Sequence, residues 1–110
     1  MLSQHQKQKL MSNWGYPADT MTCKAEVRVY DPASRWECYI YALNPHDQQE
    51  ICCIINGFYV EICRYSIQEL YTLYNQHGEP VQVDYEYVPR EAAEIYRMLK
   101  QRNIDEFSRY

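Results

Sequence analysis

The stretch "EICCIINGFYVEICRY" (50–65) constrains the fold more than any other part of the chain. Two short runs rich in β-branched and aromatic residues flank Asn56-Gly57. Such a dipeptide between apolar runs is the strongest short-range hairpin signal, because a type I′ turn needs φ > 0 at both central residues. A two-residue loop pairs Ile55 with Phe58, Cys53 with Val60 and Ile51 with Ile62, and that face is wholly apolar. The other face pairs Ile54 with Tyr59, Cys52 with Glu61 and Glu50 with Cys63. Side chains alternate along a strand, so Cys53 is expected to point away from Cys52 and Cys63. Cys52 and Cys63 then become diagonal neighbours at roughly 7–8 Å, too far for an unstrained disulfide. The paired Cys-x2-Cys or His-x3-His spacing of a structural zinc site is absent. The cysteines therefore read as small core residues and surface passengers, and no metal or cofactor is expected.

The same period of two runs through the residues before the hairpin. In "CKAEVRVY" (23–30), Cys23, Ala25, Val27 and Val29 face one way. "DPAS" (31–34) has the chemistry of a turn, with Pro32 presetting φ at its second position. "RWECYIYAL" (35–43) then alternates Trp36, Cys38, Ile40 and Ala42 against Glu37, Tyr39 and Tyr41. After the hairpin, Ser66 and Glu69 fit a capping box that opens a helix ending at Gly78. Ile67, Leu70, Tyr71 and Tyr74 form its apolar stripe. "PVQVDYEYV" (80–88) predicts a fifth strand with Val81, Val83, Tyr85 and Tyr87 on one face. Pro89 suits the first turn of a last helix, whose stripe is Ala92, Ile95, Tyr96 and Leu99. A polar stretch over 3–11 predicts a short N-terminal helix, broken by Gly15 and Pro17.

These elements predict an α+β class in the order α-β-β-β-β-α-β-α. The sheet is a mostly antiparallel one of five strands, with helices packed on one face. All 110 residues fit one domain. Residues 1–20 make an N-terminal helix and loop, 23–100 the core, and 101–110 a tail that either frays or folds back through Ile104 and Phe107. No apolar run approaches the ~20 residues of a membrane span, and the N-terminal segment lacks a signal peptide's apolar stretch. A cytoplasmic protein whose cysteines stay reduced is expected.

Residues 79–94 hold Glu79, Asp84, Glu86, Glu91 and Glu94 against Arg90 alone, which accounts for the whole net charge of −4. That distribution argues against a broad nucleic-acid footprint, which needs clustered Lys and Arg. The 12 tyrosines hide rings while their hydroxyls seek partners, which points to half-buried sheet faces or a contact surface. Tyr30, Tyr39, Tyr41 and Tyr59 project from the sheet face opposite the expected core. Asp84 and Glu86, two apart on one strand face, have the spacing to hold a divalent cation or run acid–base chemistry. Neither a nucleophile elbow nor a Gly-rich phosphate loop accompanies them, and His5, His46 and His77 lie far apart. No catalytic residue is assigned.

"VRVYDP" (27–32), Trp36, "INGFYVE" (55–61), "RYSIQEL" (64–70) and "VDYEYVP" (83–89) come in an order that resembles an uncharacterised bacterial family, domain of unknown function 2958. The resemblance implies a protein carried by plasmids, integrative elements and phages, with no agreed activity. The expectation is a non-enzymatic accessory factor that modulates or inhibits a protein partner with a basic surface. Its protein-binding residues are Tyr39, Tyr41, Tyr59, Asp84 and Glu86. The alternative is a single-strand nucleic-acid binder or a weak metal-dependent nuclease using Asp84 and Glu86.

Overall fold

In the computed structural model, residues 2–16 and 22–107 are described. In chain order the elements are α1 (Gln4–Ser12), β1 (Lys24–Ala25), β2 (Val27–Tyr30), β3 (Glu37–Leu43), β4 (Glu50–Asn56), β5 (Val60–Ser66), α2 (Ile67–Tyr71), β6 (Gln82–Val83), β7 (Arg90–Glu91) and α3 (Ala92–Phe107). The alternating runs make an antiparallel five-stranded sheet ordered β5-β4-β3-β2-β6. A separate two-residue ladder joins β1 to β7. The α+β class and the antiparallel five-stranded sheet are as the alternation predicts. Among the described residues no helix is long and apolar enough to cross a membrane.

The helices cover both faces of the sheet, not one. On one face, Leu10 of α1 and Leu70 of α2 pack on Val27, Val29, Cys38, Ile40, Ile51 and Cys53. On the other, Ala92, Ile95 and Leu99 of α3 pack on Tyr39, Tyr41, Ala42 and Ile54. Alternation makes each face of the central strand visible in sequence, but it is silent on which helix lands where. All seven residues of β3 are buried, so a cover on one side alone would leave two tyrosine rings in water. Asn13 ties α1 down: its Nδ2 donates to the carbonyl oxygens of Tyr41 at 2.9 Å and Lys24 at 3.3 Å.

The hairpin forms where expected, but with a different loop. Asn56 pairs with Val60, so the loop is the three residues 57–59 and the expected type I′ turn is absent. Among the described residues only Gly15 and Gly78 have positive φ, so neither Asn56 nor Gly57 adopts the left-handed conformation that turn needs. The new register has the opposite parity, and in a strand a change of parity exchanges the faces. Cys53 now lies directly opposite Cys63, contrary to the expectation that they point apart.

Four other expectations shift for local reasons. The strand at 23–30 breaks at Glu26, so Ala25 faces α3 while Val27 faces α1. The second helix stops after five residues, because Thr72 Oγ1 and its N–H both bond back to the Glu69 carbonyl. Asn75 then captures the N–H groups of His77 and Glu79, and Gly78 serves that turn with φ 75°. The strand expected over 80–88 shrinks to Gln82–Val83, since the Asp84 side chain accepts the Glu86 N–H and turns the chain away. Helix α3 extends past the expected core boundary at 100, to Phe107; residues 17–20 of the predicted loop and 108–110 of the tail lie outside the described residues.

Candidate functional site

The "DPAS" turn sets the register that builds a buried polar cluster. It places Tyr30 opposite Glu37, which makes Arg28 the diagonal neighbour of Glu37 across β2 and β3. Glu37 is only 6% exposed, yet its carboxylate is fully engaged. Oε1 accepts from Arg28 Nε at 3.0 Å and from the Tyr39 hydroxyl at 2.5 Å, and Oε2 accepts from Asn56 Nδ2 at 2.9 Å. Arg28 spends a second donor on Asp84 Oδ2 at 2.9 Å, and its guanidinium lies over the Tyr30 and Tyr39 rings. Tyr87 meets the Tyr39 ring edge-on and donates its hydroxyl to the Ala25 carbonyl.

Burial pushes the Glu37 carboxyl upward, but hydrogen bonds from Tyr39, Asn56 and Arg28 outweigh it and hold the group below the usual range. Burial and the adjacent Glu37 carboxylate push Tyr39 up to about 12. At neutral pH the first stays ionised and the second stays protonated. An acid–base pair needs at least one member poised near the working pH. This pair is driven the other way on both sides, so the network clamps β2, β3, β4 and the Asp84 turn together without exchanging protons.

The clamp forms the floor of a surface cleft of about 330 Å³, whose rim carries Arg35, Trp36, Gly57 and Arg102. Gly57 passes against the Trp36 ring. The next two residues stand clear of the fold, Phe58 at 99% and Tyr59 at 68% exposure. The end of the sheet therefore presents two aromatic rings beside a rim that includes two exposed arginines.

The residues singled out from sequence do not converge. Tyr39 and Tyr41 are 7% and 4% exposed beneath α3, so they are core rather than contact surface. Tyr59 is exposed, on the hairpin tip. Asp84 is committed to Arg28, and the exposed Glu86 gives Asp84 its backbone N–H. Among the described residues no group of three or more His, Cys, Asp or Glu is placed to hold a metal ion. His5, His46 and His77 are exposed, as their polar surroundings predict. Sequence reasoning passed over Glu37, Arg28, Asn56 and Phe58. A lone acid between Trp36 and Cys38, diagonal to an arginine across a marked turn, was the available signal for the first two.

The cysteines form a row that the expected register had hidden. Cys53 Sγ lies 3.9 Å from Cys63 Sγ, and buried Cys38 is beside Cys53 on the same sheet face. Contact with Cys38 pushes the Cys53 thiol up, and contact with Cys53, then burial, does the same for Cys63. All five cysteines are free thiols. No family model, no curated protein and no solved structure matches this chain.

Proposed function

We propose that the chain is a small non-enzymatic interaction protein, which binds and modulates a protein partner through the Phe58–Tyr59 tip and the cleft rim beside it. The observation that carries this reading is Phe58, a ring left 99% exposed at the end of a well-packed hairpin. Leaving a phenylalanine in water forgoes roughly 2 kcal/mol of burial, which an interface recovers. Tyr59 next to it, and Trp36, Arg35 and Arg102 on the cleft that Gly57 lines, belong to the residue types that anchor protein interfaces.

Exposed Arg102 on the rim complements an acidic patch on the partner, in place of the basic partner expected from residues 79–94. In that segment Asp84 pairs with Arg28, which lies outside it, so its field is weaker than its charge count implies. A cytoplasmic setting, inhibition of the partner, and descent from the mobile-element family that residues 27–95 resemble all belong to this same proposal. The nuclease alternative has less support, because the Asp84 carboxylate is already held by a guanidinium.

The test is photo-crosslinking in host cells from a benzophenone residue at the exposed position Glu61, next to the tip. We expect one protein adduct, weakened at least ~10-fold by Phe58→Ser with Tyr59→Ser, which corresponds to about 1.4 kcal/mol of binding. An adduct undiminished in that variant, or one lost instead in Tyr85→Ser on the acidic side, overturns the assignment.

A further inference from the structure

Cys53 and Cys63 occupy facing positions on β4 and β5, and the ladder itself tells what kind of pair they form. Ile67 N–H donates to the Gln49 carbonyl beyond the Glu50–Ser66 pair, and Gly57 N–H donates to the Tyr59 carbonyl beyond Asn56–Val60. Both end pairs are therefore of the non-hydrogen-bonded kind. Pairs alternate along an antiparallel ladder, so Cys53–Cys63, three steps from either end, is a hydrogen-bonded pair with Cα atoms about 5.5 Å apart. That spacing lies inside the roughly 4.4–6.8 Å window of disulfides. The sulfurs are already in contact at 3.9 Å and share one face, so side-chain rotation alone can bring them to bonding distance.

Access differs between the two thiols. Cys53 is buried in the core beneath the helices, whereas Cys63 is half-buried on the edge strand. An entering reagent meets Cys63, and Cys53 is in place to displace it.

We infer that Cys53 and Cys63 form an oxidisable dithiol, a modification site at which a small-molecule disulfide such as oxidised glutathione introduces a β4–β5 crosslink. In the first step Cys63 gives its proton to solvent hydroxide, slowly at neutral pH and faster as pH rises because contact with Cys53 and burial hold the thiol protonated, and the thiolate attacks one sulfur of oxidised glutathione. A Cys63–glutathione bond forms, the reagent's S–S bond breaks, and one glutathione thiolate leaves. In the second step the Cys53 sulfur, as thiolate, attacks Cys63 Sγ; the Cys53–Cys63 bond forms and the second glutathione leaves. The two protein thiols lose two electrons to the reagent, and their two protons end on the two released glutathiones. The product fastens the edge strand, and with it the base of the Phe58–Tyr59 tip, to the strand inside it.

The test incubates the folded chain with oxidised glutathione, removes the reagent, unfolds the chain in urea with iodoacetamide present to block every remaining thiol, and maps disulfides by mass spectrometry. The reactive thiols should fall from the five of the sequence to three, with Cys53 and Cys63 in one crosslinked peptide pair. Cys38→Ala should keep the bond. Cys63→Ala should leave all four remaining thiols free, with no intramolecular disulfide, since the remaining Cys53 is buried. The wild-type map decides the matter even if a variant fails to fold. Five thiols left after exposure, a glutathione adduct that persists on Cys63, or a bond from Cys63 to Cys52 overturns the proposal.

Discussion

Arg28→Met is the sharpest perturbation of the charged clamp, because methionine keeps most of the aliphatic stem over Tyr30 and Tyr39 and removes only the cation. Arg28 Nε and Glu37 Oε1 are 3.0 Å apart, and the two side chains are 26% and 8% exposed. Breaking a buried pair by removing one partner costs about 3–5 kcal/mol, most of it from the charge left behind. The quarter exposure of Arg28, and the hydrogen bonds that Tyr39 and Asn56 still give Glu37, place the cost at the low end, about 3 kcal/mol at pH 7. For a chain of this length that lowers Tm by roughly 12 °C. The pH dependence discriminates further. In the native chain the Glu37 pKa lies below its ordinary 4.5, so its contribution is full above pH 4.5 and is lost as pH falls through the folded value. In the variant the guanidinium's hydrogen bond and charge are gone, so the folded pKa moves up and the ionised carboxylate contributes less at neutral pH, a difference that protonation removes as pH falls. Urea unfolding of both proteins at pH 7 and pH 4 should show the gap shrinking to about 1 kcal/mol at the lower pH. A cost under about 1 kcal/mol at pH 7, or a gap that does not change with pH, refutes the claim that Arg28 keeps Glu37 charged.

Four further outcomes follow from other parts of the fold. Gly57→Ala should change stability by less than about 0.5 kcal/mol, because Gly57 has no positive φ and an added Cβ meets Trp36 at an ordinary 3.4 Å. Gly78→Ala, at φ 75°, should cost about 1 kcal/mol in the same urea titrations. Ile54→Ala opens a cavity between the sheet and α3 and should cost about 3 kcal/mol, against near neutrality for Tyr59→Ala on the tip. In a native-state titration at 295 nm, Tyr39, Tyr71 and Tyr87, pushed to about 12, and Tyr41, pushed higher still, should remain protonated at pH 11. Burial is the leading cause in all four. Their folded pKa values exceed the unfolded value of about 10, so their contribution is full below pH 10 and lost as pH rises through 12.

Sequence legibility stopped where local chemistry ceased to decide. The rows Val27/Val29, Cys38/Ile40 and Ile51/Cys53 lie on one buried face, because the period of two is a property of the backbone itself. Tyr39 and Tyr41 are on the opposite face, as alternation requires, but their exposure depended on where α3 packs, and α3's stripe of Ala92, Ile95 and Leu99 suits either side of a sheet. The 66–77 helix was overestimated because its apolar stripe ignored the competing hydrogen bonds of Thr72 and Asn75, which end it early. The clamp was half legible: the "DPAS" turn set Arg28 diagonal to Glu37, while Asp84 reached them from 56 residues away in sequence.

The hairpin carries the largest consequence of a small error. Asn56-Gly57 marks where the chain reverses but does not set the loop's length, and here Asn56 stays in the strand because Glu37 needs its amide. Had Asn56 and Gly57 formed the loop, Cys53 would have faced Val60 and Cys63 would have sat on the α3 side of the sheet. The three-residue loop instead turns Cys63 toward Cys53 and lifts Phe58 and Tyr59 off the end of the sheet. The hydrogen bond that completes the clamp thus also fixes the facing thiols and the exposed rings. Removing the Asn56 amide should therefore disturb all three together: the clamp's stability, the ease of Cys53–Cys63 crosslinking, and the presentation of the tip.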